Sequence, residues 1–296
     1  MTPVSRDSVA GRVYLDLQAR ARSDGRPTDE LLVLYVLERF LFRLSQSPHR
    51  HHLILKGGML LAALDERRPT ADVDLLARVI DNDVEIVSAL VAEILAVDVD
   101  DGVEFALEDL RAEVIREADL YAGIRIVVPA RIARARHPLR VDVNVGDPVT
   151  PAPVDIDYPS LLGDSFSLRG YPLPTVLAEK IVTMVERGDT TTRERDFADV
   201  YLLTARHAIE GDALVDASDA TAAHRQADLR PLRTVLVTLG GERQADWERF
   251  INRAGLADTL PTSYSGVIEA IAEFADSIFA GSARGRSWDP GSRTWR

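Results

Sequence analysis

Residues 52–76 read HLILKGGMLLAALDERRPTADVDLL, and this stretch decides the fold. The apolar run at 52–56 predicts a short buried strand that leads directly into Gly57 and Gly58. Leucines and a methionine then recur at helical spacing until Pro69, which disfavours helix at the residue before it. The pattern therefore predicts a strand, a glycine pair and an apolar helix, in that order.

Acidic residues follow this unit on two further predicted strands. Residues 70–76 alternate as a strand does, and Asp72 and Asp74 lie on one side of it. Residues 139–145 also alternate, with Asp142 on the polar side. Mg²⁺ is usually bound through a few carboxylates together with substrate phosphates. With Asp142 as a third ligand, the acids predict a site for two ions, which is the chemistry of nucleotidyl transfer.

Each of these features also has a simpler interpretation. An Asp-x-Asp pair on an edge strand is usually a solvated face, and a glycine pair is usually a turn. Against this, residues without a Cβ let backbone N–H groups approach a triphosphate closely. Lys56 and Arg68 would add positive charge beside Gly57 and Gly58. The joint spacing therefore favours a phosphate site, although no single feature does.

The composition of the chain changes near residue 148. Six prolines between 148 and 174 indicate a connector with short extended pieces, and helical patterns dominate after it. The last sixteen residues are rich in Gly, Ser and Arg, which is typical of a mobile segment. We therefore predict an α+β protein, with a mixed sheet and flanking helices followed by helices. The expected domains are an α/β domain with N-terminal helices at 1–165, a helical domain at 166–280 that completes the active-site cleft, and a mobile tail at 281–296.

A lysine stands out in the helical half. Lys180 lies in or beside the apolar stripe of a predicted helix at 176–187, where it needs an anionic partner or a path to solvent. Asp196 and Asp199 are neighbours three residues apart on the next predicted helix. These acids either form a structural salt bridge with Lys180 or Arg195, or belong to a functional site.

Charge and composition exclude several classes of protein. The 296 residues include 47 acidic and 35 basic side chains, for a net charge of −12, and no cysteine, which excludes disulfides. No apolar run reaches the ~18 residues of a membrane span, so we expect a cytoplasmic protein without membrane contact. Phosphate-loop, Rossmann and serine-hydrolase motifs are absent from the sequence. Four arginines within 131–140 could contact RNA or a triphosphate, or could form a solvated hairpin.

The motifs resemble those of a known family. KGGMLL at 56–61 and RPTADVDL at 68–75 resemble the first motif of the AbiEii/AbiGii nucleotidyltransferase toxins of type IV toxin–antitoxin systems. That family is similar in its core to the DNA polymerase β-like nucleotidyltransferases. The resemblance continues over roughly residues 50–205, with RVDVNVGD at 140–147, LRGYPLPTVLAEK at 168–180 and TRERDFADVYLL at 192–203.

The resemblance implies a role for each candidate residue. It implies that Asp72 and Asp74 bind Mg²⁺ and that Lys180 contacts a nucleotide phosphate. Asp196 or Asp199 would be the last essential acid. The other nucleotide-binding residues are expected to be Lys56, Gly57, Gly58, Arg68 and Thr70.

The resemblance also implies an activity. A nucleotide would pass from an NTP to an RNA acceptor, the 3′ end of tRNA in some relatives, so that aminoacylation and growth stop. A separate cognate antitoxin protein is expected. In some relatives a partner inactivates the toxin by phosphorylating the residue in the position of Thr70. Two alternatives stay open, namely transfer to a protein side chain and a regulator that binds the NTP without turnover.

Overall fold

The acid-bearing strands lie side by side in one mixed sheet. The computed structural model describes residues 4–117 and 121–296, and its larger sheet has eight strands. These are β1 (Leu53–Lys56), β2 (Val73–Ala77), β3 (Val103–Phe105), β4 (Arg111–Glu117), β5 (Tyr121–Ile132), β6 (Ala135–Val145), β7 (Val154–Tyr158) and β8 (Phe166–Gly170). The order is β3-β5-β6-β2-β1-β8-β7, and β4 also pairs with β5. The β2–β6 and β1–β8 pairs are parallel, which confirms the predicted mixed sheet.

Helices cover this sheet because each buries an apolar stripe. They are α1 (Val9–Ser23), α2 (Thr28–Gln46), the single turn α3 (Gly57–Leu60) and α4 (Val84–Leu95). The fully buried Leu37, Phe40 and Leu44 of α2 recur at helical spacing. In the polar first segment, α1 buries Leu17 and Ala21, four residues apart.

The second unit is mainly helical, as the sequence predicts. Its helices are α5 (Leu173–Arg187), α6 (Glu194–Arg206), α7 (Gly211–Arg225), α8 (Leu232–Val235), α9 (Leu239–Glu242), α10 (Gln244–Arg253) and α11 (Tyr264–Phe279). Its core includes Trp247, which stacks on Tyr264 with ring centroids 4.8 Å apart. Among the described residues, no helix is both long and apolar enough to span a membrane.

The division between the units differs from the expected one. The first unit is Met1–Gly146 with Val154–Gly170, and the second is Asp147–Pro153 with Tyr171–Arg296. The expected break at 165 would remove β8 from the sheet, where it pairs with both β1 and β7. Prolines flank these two strands, and their density indicated extended pieces of a connector rather than strands of the main sheet.

The C-terminal segment also differs from the expectation of a mobile tail. It contains β10 (Ser287–Asp289) and β11 (Thr294–Trp295), which form a three-stranded sheet with β9 (Ile209–Glu210). Trp288 is buried, and its indole N–H donates to the carbonyl of Thr204 at 2.7 Å. The indole N–H of Trp295 donates to the carbonyl of Phe274 at 3.1 Å. Trp288 and Trp295 therefore anchor a segment whose composition is typical of a mobile tail.

A buried carboxylate fixes the loop that precedes β2. Glu38 of α2 is fully buried and accepts hydrogen bonds from the Ser160 hydroxyl at 2.7 Å and from the backbone N–H of Leu161 at 2.8 Å. Arg67 lies 3.5 Å from the same carboxylate and donates to the carbonyl of Pro159. These contacts hold Arg67, and so constrain the neighbouring candidate residue Arg68, against the first unit.

Candidate active site

Four charged residues form a row across the sheet. Strand pairing places Lys56 of β1 opposite Asp74 of β2, and Asp74 beside Asp142 of β6. Arg125 of β5 lies opposite Asp142. Residues paired across neighbouring strands face the same side of a sheet. The candidate acids Asp74 and Asp142 therefore share one face, with a cation at each end of the row.

The glycine pair makes room for the acid-bearing segment. Gly57 has φ +65°, and a Cβ there would lie 1.9 Å from Oδ2 of Asp74. A Cβ on Gly58 would lie 2.7 Å from the hydroxyl oxygen of Thr70. Both glycines are therefore required by close packing against Asp74 and Thr70. The α-helix that follows the glycines is shorter than expected. α3 is a single turn, and it continues as a 3₁₀ turn at Leu61–Leu64.

Asp72 lies immediately before β2, although the sequence predicted it within the strand, and it is held by a neighbouring hydroxyl. Thr70 donates from its hydroxyl to Oδ1 of Asp72 at 3.0 Å. Asp72 and Asp74 are both half-buried, so water and a substrate can still reach them. The hydrogen bond fixes one oxygen of Asp72 and brings Thr70 to the carboxylate itself.

Asp142 is held by an arginine that the sequence analysis did not single out. Arg125 donates from Nε to Oδ1 at 2.8 Å and from Nη2 to Oδ2 at 2.7 Å. The hydrogen bond and charge of Asp142 raise the pKa of Arg125, and the negative charge of Asp72 adds to this effect. The available signal was an arginine at a polar position between the buried Ile124 and Ile126.

The expected three-carboxylate metal site can be compared with the observed contacts. Among residues 4–117 and 121–296, no three His, Asp or Glu side chains are arranged to hold a metal ion together. Both oxygens of Asp142 accept from Arg125, and its role as a ligand beside Asp72 and Asp74 stays a prediction. Asp72 and Asp74 still supply hard oxygen donors of the kind that suits Mg²⁺, which takes its other ligands from water and phosphate.

The candidate residues of the second unit form a buried ionic cluster. Nζ of Lys180 on α5 lies 2.9 Å from Oδ1 of Asp196 and 2.7 Å from Oδ2 of Asp199, both on α6. Arg193 donates to the second oxygen of Asp196. Burial alone would raise the pKa of Asp196, but the charges of Lys180 and Arg193 outweigh it and lower the pKa. The salt bridge considered from the sequence is thus present, with Arg193 rather than Arg195 as the second cation.

The basic run at 131–140 forms the β5–β6 hairpin. Arg131 pairs with Glu104 at 2.6 Å, and the guanidinium of Arg134 lies over the ring of Tyr14 at 5.5 Å. These arginines are engaged within the first unit. The run therefore forms a hairpin, and contact of its arginines with RNA or a triphosphate stays a prediction.

Comparisons with known proteins agree with this fold. The family model described as "Nucleotidyl transferase AbiEii toxin, Type IV TA system" matches residues 39–276. The nucleotidyltransferase toxin MenT4 from Mycobacterium tuberculosis has a similar structure, with a TM-score of 0.53 and 17% identity over 92% of this chain and 98% of that one. JHP933 from Helicobacter pylori gives a TM-score of 0.48 and 10% identity over 84% and 94%.

Curated proteins give no sequence match. The family model nevertheless extends over most of the chain, from α2 to α11, and includes Asp72, Asp74, the glycine pair and the Lys180 cluster. The resemblance noted in the sequence motifs is therefore confirmed. The chain belongs to the AbiEii family of nucleotidyltransferase toxins from type IV toxin–antitoxin systems.

Proposed function

We propose that this enzyme transfers a nucleotide from an NTP to the 3′ end of tRNA in a Mg²⁺-dependent reaction. Such a modification would block aminoacylation and stop growth in the cytoplasm. The observation that carries the proposal is the packing of Asp74 against Gly57, beside an Asp72 that is fixed by Thr70. Membership of a nucleotidyltransferase family supports the reaction class.

In the first unit, Asp72 and Asp74 would hold Mg²⁺. When bound, the ion would neutralise phosphate charge and activate the attacking hydroxyl. Thr70 orients Asp72 through its hydroxyl. The triphosphate would be bound by positively charged, small or hydroxyl-bearing residues. These are Lys56, Gly57, Gly58, Arg68 and Thr70.

In the second unit, Lys180 would contact a phosphate of the nucleotide. Asp196 and Asp199 bind its ammonium group from the next helix, which removes the rotamer freedom that a long side chain otherwise has. A preorganised cation stabilises developing phosphate charge more effectively than a mobile one.

Labelled NTP incorporation tests the proposal. Each α-phosphate-labelled NTP is incubated with purified tRNA and the wild-type chain, Asp72→Asn or Lys180→Met. We expect label in tRNA with the wild type and a loss of about 100-fold or more in both variants. Asp157→Asn is the matched control, because Asp157 is an exposed acid on β7 of the same sheet. Full transfer by both site variants would contradict the proposal.

The same experiment separates the two alternatives. Label in total protein but not in RNA would identify a protein acceptor. Tight NTP binding with no pyrophosphate release in the presence of tRNA would identify a regulator without turnover. Growth of cells that express each variant provides an independent readout of toxicity.

The proposal includes an antitoxin protein and a place for it to act. Because Thr70 lies within hydrogen-bond distance of Asp72, a phosphate on its hydroxyl would place a dianion beside the carboxylate. That charge would repel the incoming triphosphate. Phosphorylation of Thr70 would therefore be an efficient way for a partner to inactivate the enzyme.

A further inference from the structure

The charged row of Lys56, Asp74, Asp142 and Arg125 contains two positively charged side chains. A site for two divalent cations would need an excess of carboxylates instead. Asp72, Asp74 and Asp142 supply three negative charges. Arg125 cancels one of them through its two hydrogen bonds to Asp142, and Lys56 at the other end of the row adds a second positive charge. The negative charge that remains is too small to balance two divalent cations. A second ion beside Asp142 would also have to approach a guanidinium, and like charges at such separations repel strongly.

The geometry of the Arg125–Asp142 ion pair makes it strong and costly to break. Both oxygens of Asp142 accept from one planar guanidinium, and paired donors of this kind are among the strongest hydrogen bonds in proteins. The carboxylate is 9% exposed and the arginine 33% exposed, so the charged pair reaches the surface only through the arginine. Removal of the arginine would leave Asp142 as a largely buried and uncompensated charge.

We propose that Arg125 takes the place of a second metal ion. In this interpretation the enzyme holds one divalent cation on Asp72 and Asp74, and the guanidinium of Arg125 is a fixed positive charge where a third carboxylate would otherwise bind another ion. Arginine clamps and metal ions both stabilise charge on a transferring phosphate, so the exchange is chemically reasonable. The inference rests on the proposed nucleotidyl transfer and adds that Asp142 is not a metal ligand.

Counting bound Mn²⁺ tests the inference without measuring activity. The full chain is titrated with Mn²⁺ alone, and free Mn²⁺ is followed by electron paramagnetic resonance. We expect one bound ion per chain for the wild type and also for Asp142→Asn, because Asp142 is not a ligand. We expect two for Arg125→Met, in which Asp142 is released, and one again for the double variant Arg125→Met with Asp142→Asn.

Two results would overturn the inference while leaving the proposed function intact. One is two ions in the wild type with one in Asp142→Asn, and the other is a single ion in Arg125→Met. Circular dichroism establishes that the Arg125→Met chain is folded. Since Asp142→Asn keeps a neutral hydrogen-bond partner for Arg125, it tests the inference even if Arg125→Met does not fold.

A further variant separates this inference from the proposed function on which it rests. Asp72→Asn removes a proposed ligand, and we expect it to weaken Mn²⁺ binding by about tenfold or more. If Asp72→Asn binds Mn²⁺ as the wild type does, the proposed metal site is wrong, and the inference fails with it.

Discussion

Gly57 lacks a side chain because the carboxylate of Asp74 occupies the space that a side chain would fill. A Cβ at this position would lie 1.9 Å from Oδ2 of Asp74, and its φ of +65° is strained for any other residue. Two separate costs therefore oppose substitution. One is backbone strain, which affects stability, and the other is displacement of Asp74, which affects the proposed reaction.

A matched pair of variants separates these two costs. Gly25 has φ +66°, but a Cβ there would meet nothing within 4 Å. We expect Gly25→Ala and Gly57→Ala each to lose about 1–2 kcal/mol of unfolding free energy from strain. Only Gly57→Ala should lose nucleotide transfer, by about 100-fold, because a small shift of Asp74 disturbs the reacting geometry. Urea unfolding and labelled NTP incorporation measure the two effects, and equal transfer by both variants would contradict the argument.

Asp196 links the buried cluster to pH. Its pKa is lowered in the folded chain, because Lys180 and Arg193 favour the charged carboxylate despite burial. A lowered folded pKa means that stabilisation is present above the unfolded pKa, which is about 3.9 for aspartate. It is lost progressively as the pH falls below that value towards the folded pKa, since the unfolded chain then binds the proton more readily.

Asp196→Asn should therefore lose stability in a pH-dependent manner. We expect a loss of roughly 3–5 kcal/mol at pH 7, because a buried ion pair is broken and Lys180 and Arg193 each lose a charged partner. The difference from the wild type should shrink below about pH 4. Urea unfolding at several pH values measures it, with the exposed Asp157→Asn as a control that should show no such trend. A pH-independent difference would mean that the charge of Asp196 does not stabilise the fold.

The candidate acids could be predicted from the sequence, and their partners could not. Asp72 and Asp74 lie two residues apart, so local alternation is enough to place them on one side. Arg125 meets Asp142 only through the register of β5 against β6, which depends on pairing between residues 17 apart. That register is set by the whole hairpin, and no motif in the sequence encodes it.

Among whole elements, long and strongly periodic segments were the most predictable. The expected helix at 264–279 coincides with α11, because its apolar residues keep one register over four turns. The tail was not predictable in this way. β10 and β11 contain only five residues between them, and two tryptophans rather than any periodic pattern hold them in place. The composition of residues 281–296 indicated a mobile tail, because an average over the segment gives little weight to two isolated tryptophans.

Trp288 should carry most of the stability of this small sheet. The side chain is buried, its ring lies 4.8 Å from that of Phe274, and its N–H binds the carbonyl of Thr204. We expect Trp288→Ala to lose about 3–5 kcal/mol, since it leaves a large cavity and an unpaired buried carbonyl. Thr294→Ala on the exposed side of β11 should change stability by less than about 0.5 kcal/mol. Thermal unfolding compares the two, and equal melting temperatures would favour a mobile tail after all.

At the scale of the whole chain, the boundaries of the two units follow the path of the chain rather than its composition. The chain leaves the first unit after Gly146, returns at Val154 and leaves again after Gly170. The segment Asp147–Pro153 is tied to the second unit, where Thr175 donates to the carbonyl of Thr150 at 2.6 Å. A proline-rich stretch was correctly identified as a change of composition. Short extended pieces were expected there, but their place in the sheet was not, because strand pairing and not composition assigns β7 and β8 to the sheet.

This path predicts where the chain tolerates truncation. A fragment ending at Ser165 lacks β8, so β7 loses its partner and the buried residues of β1 lie on a bare sheet edge. An exposed apolar edge promotes association between chains. A fragment ending at Gly170 retains β8 and keeps those strands paired. We expect the fragment that ends at Gly170 to be more soluble than the one that ends at Ser165, and to show more strand signal in circular dichroism. The two fragments differ by only five residues. Equal behaviour of the two fragments would mean that β8 is not an integral strand of this sheet.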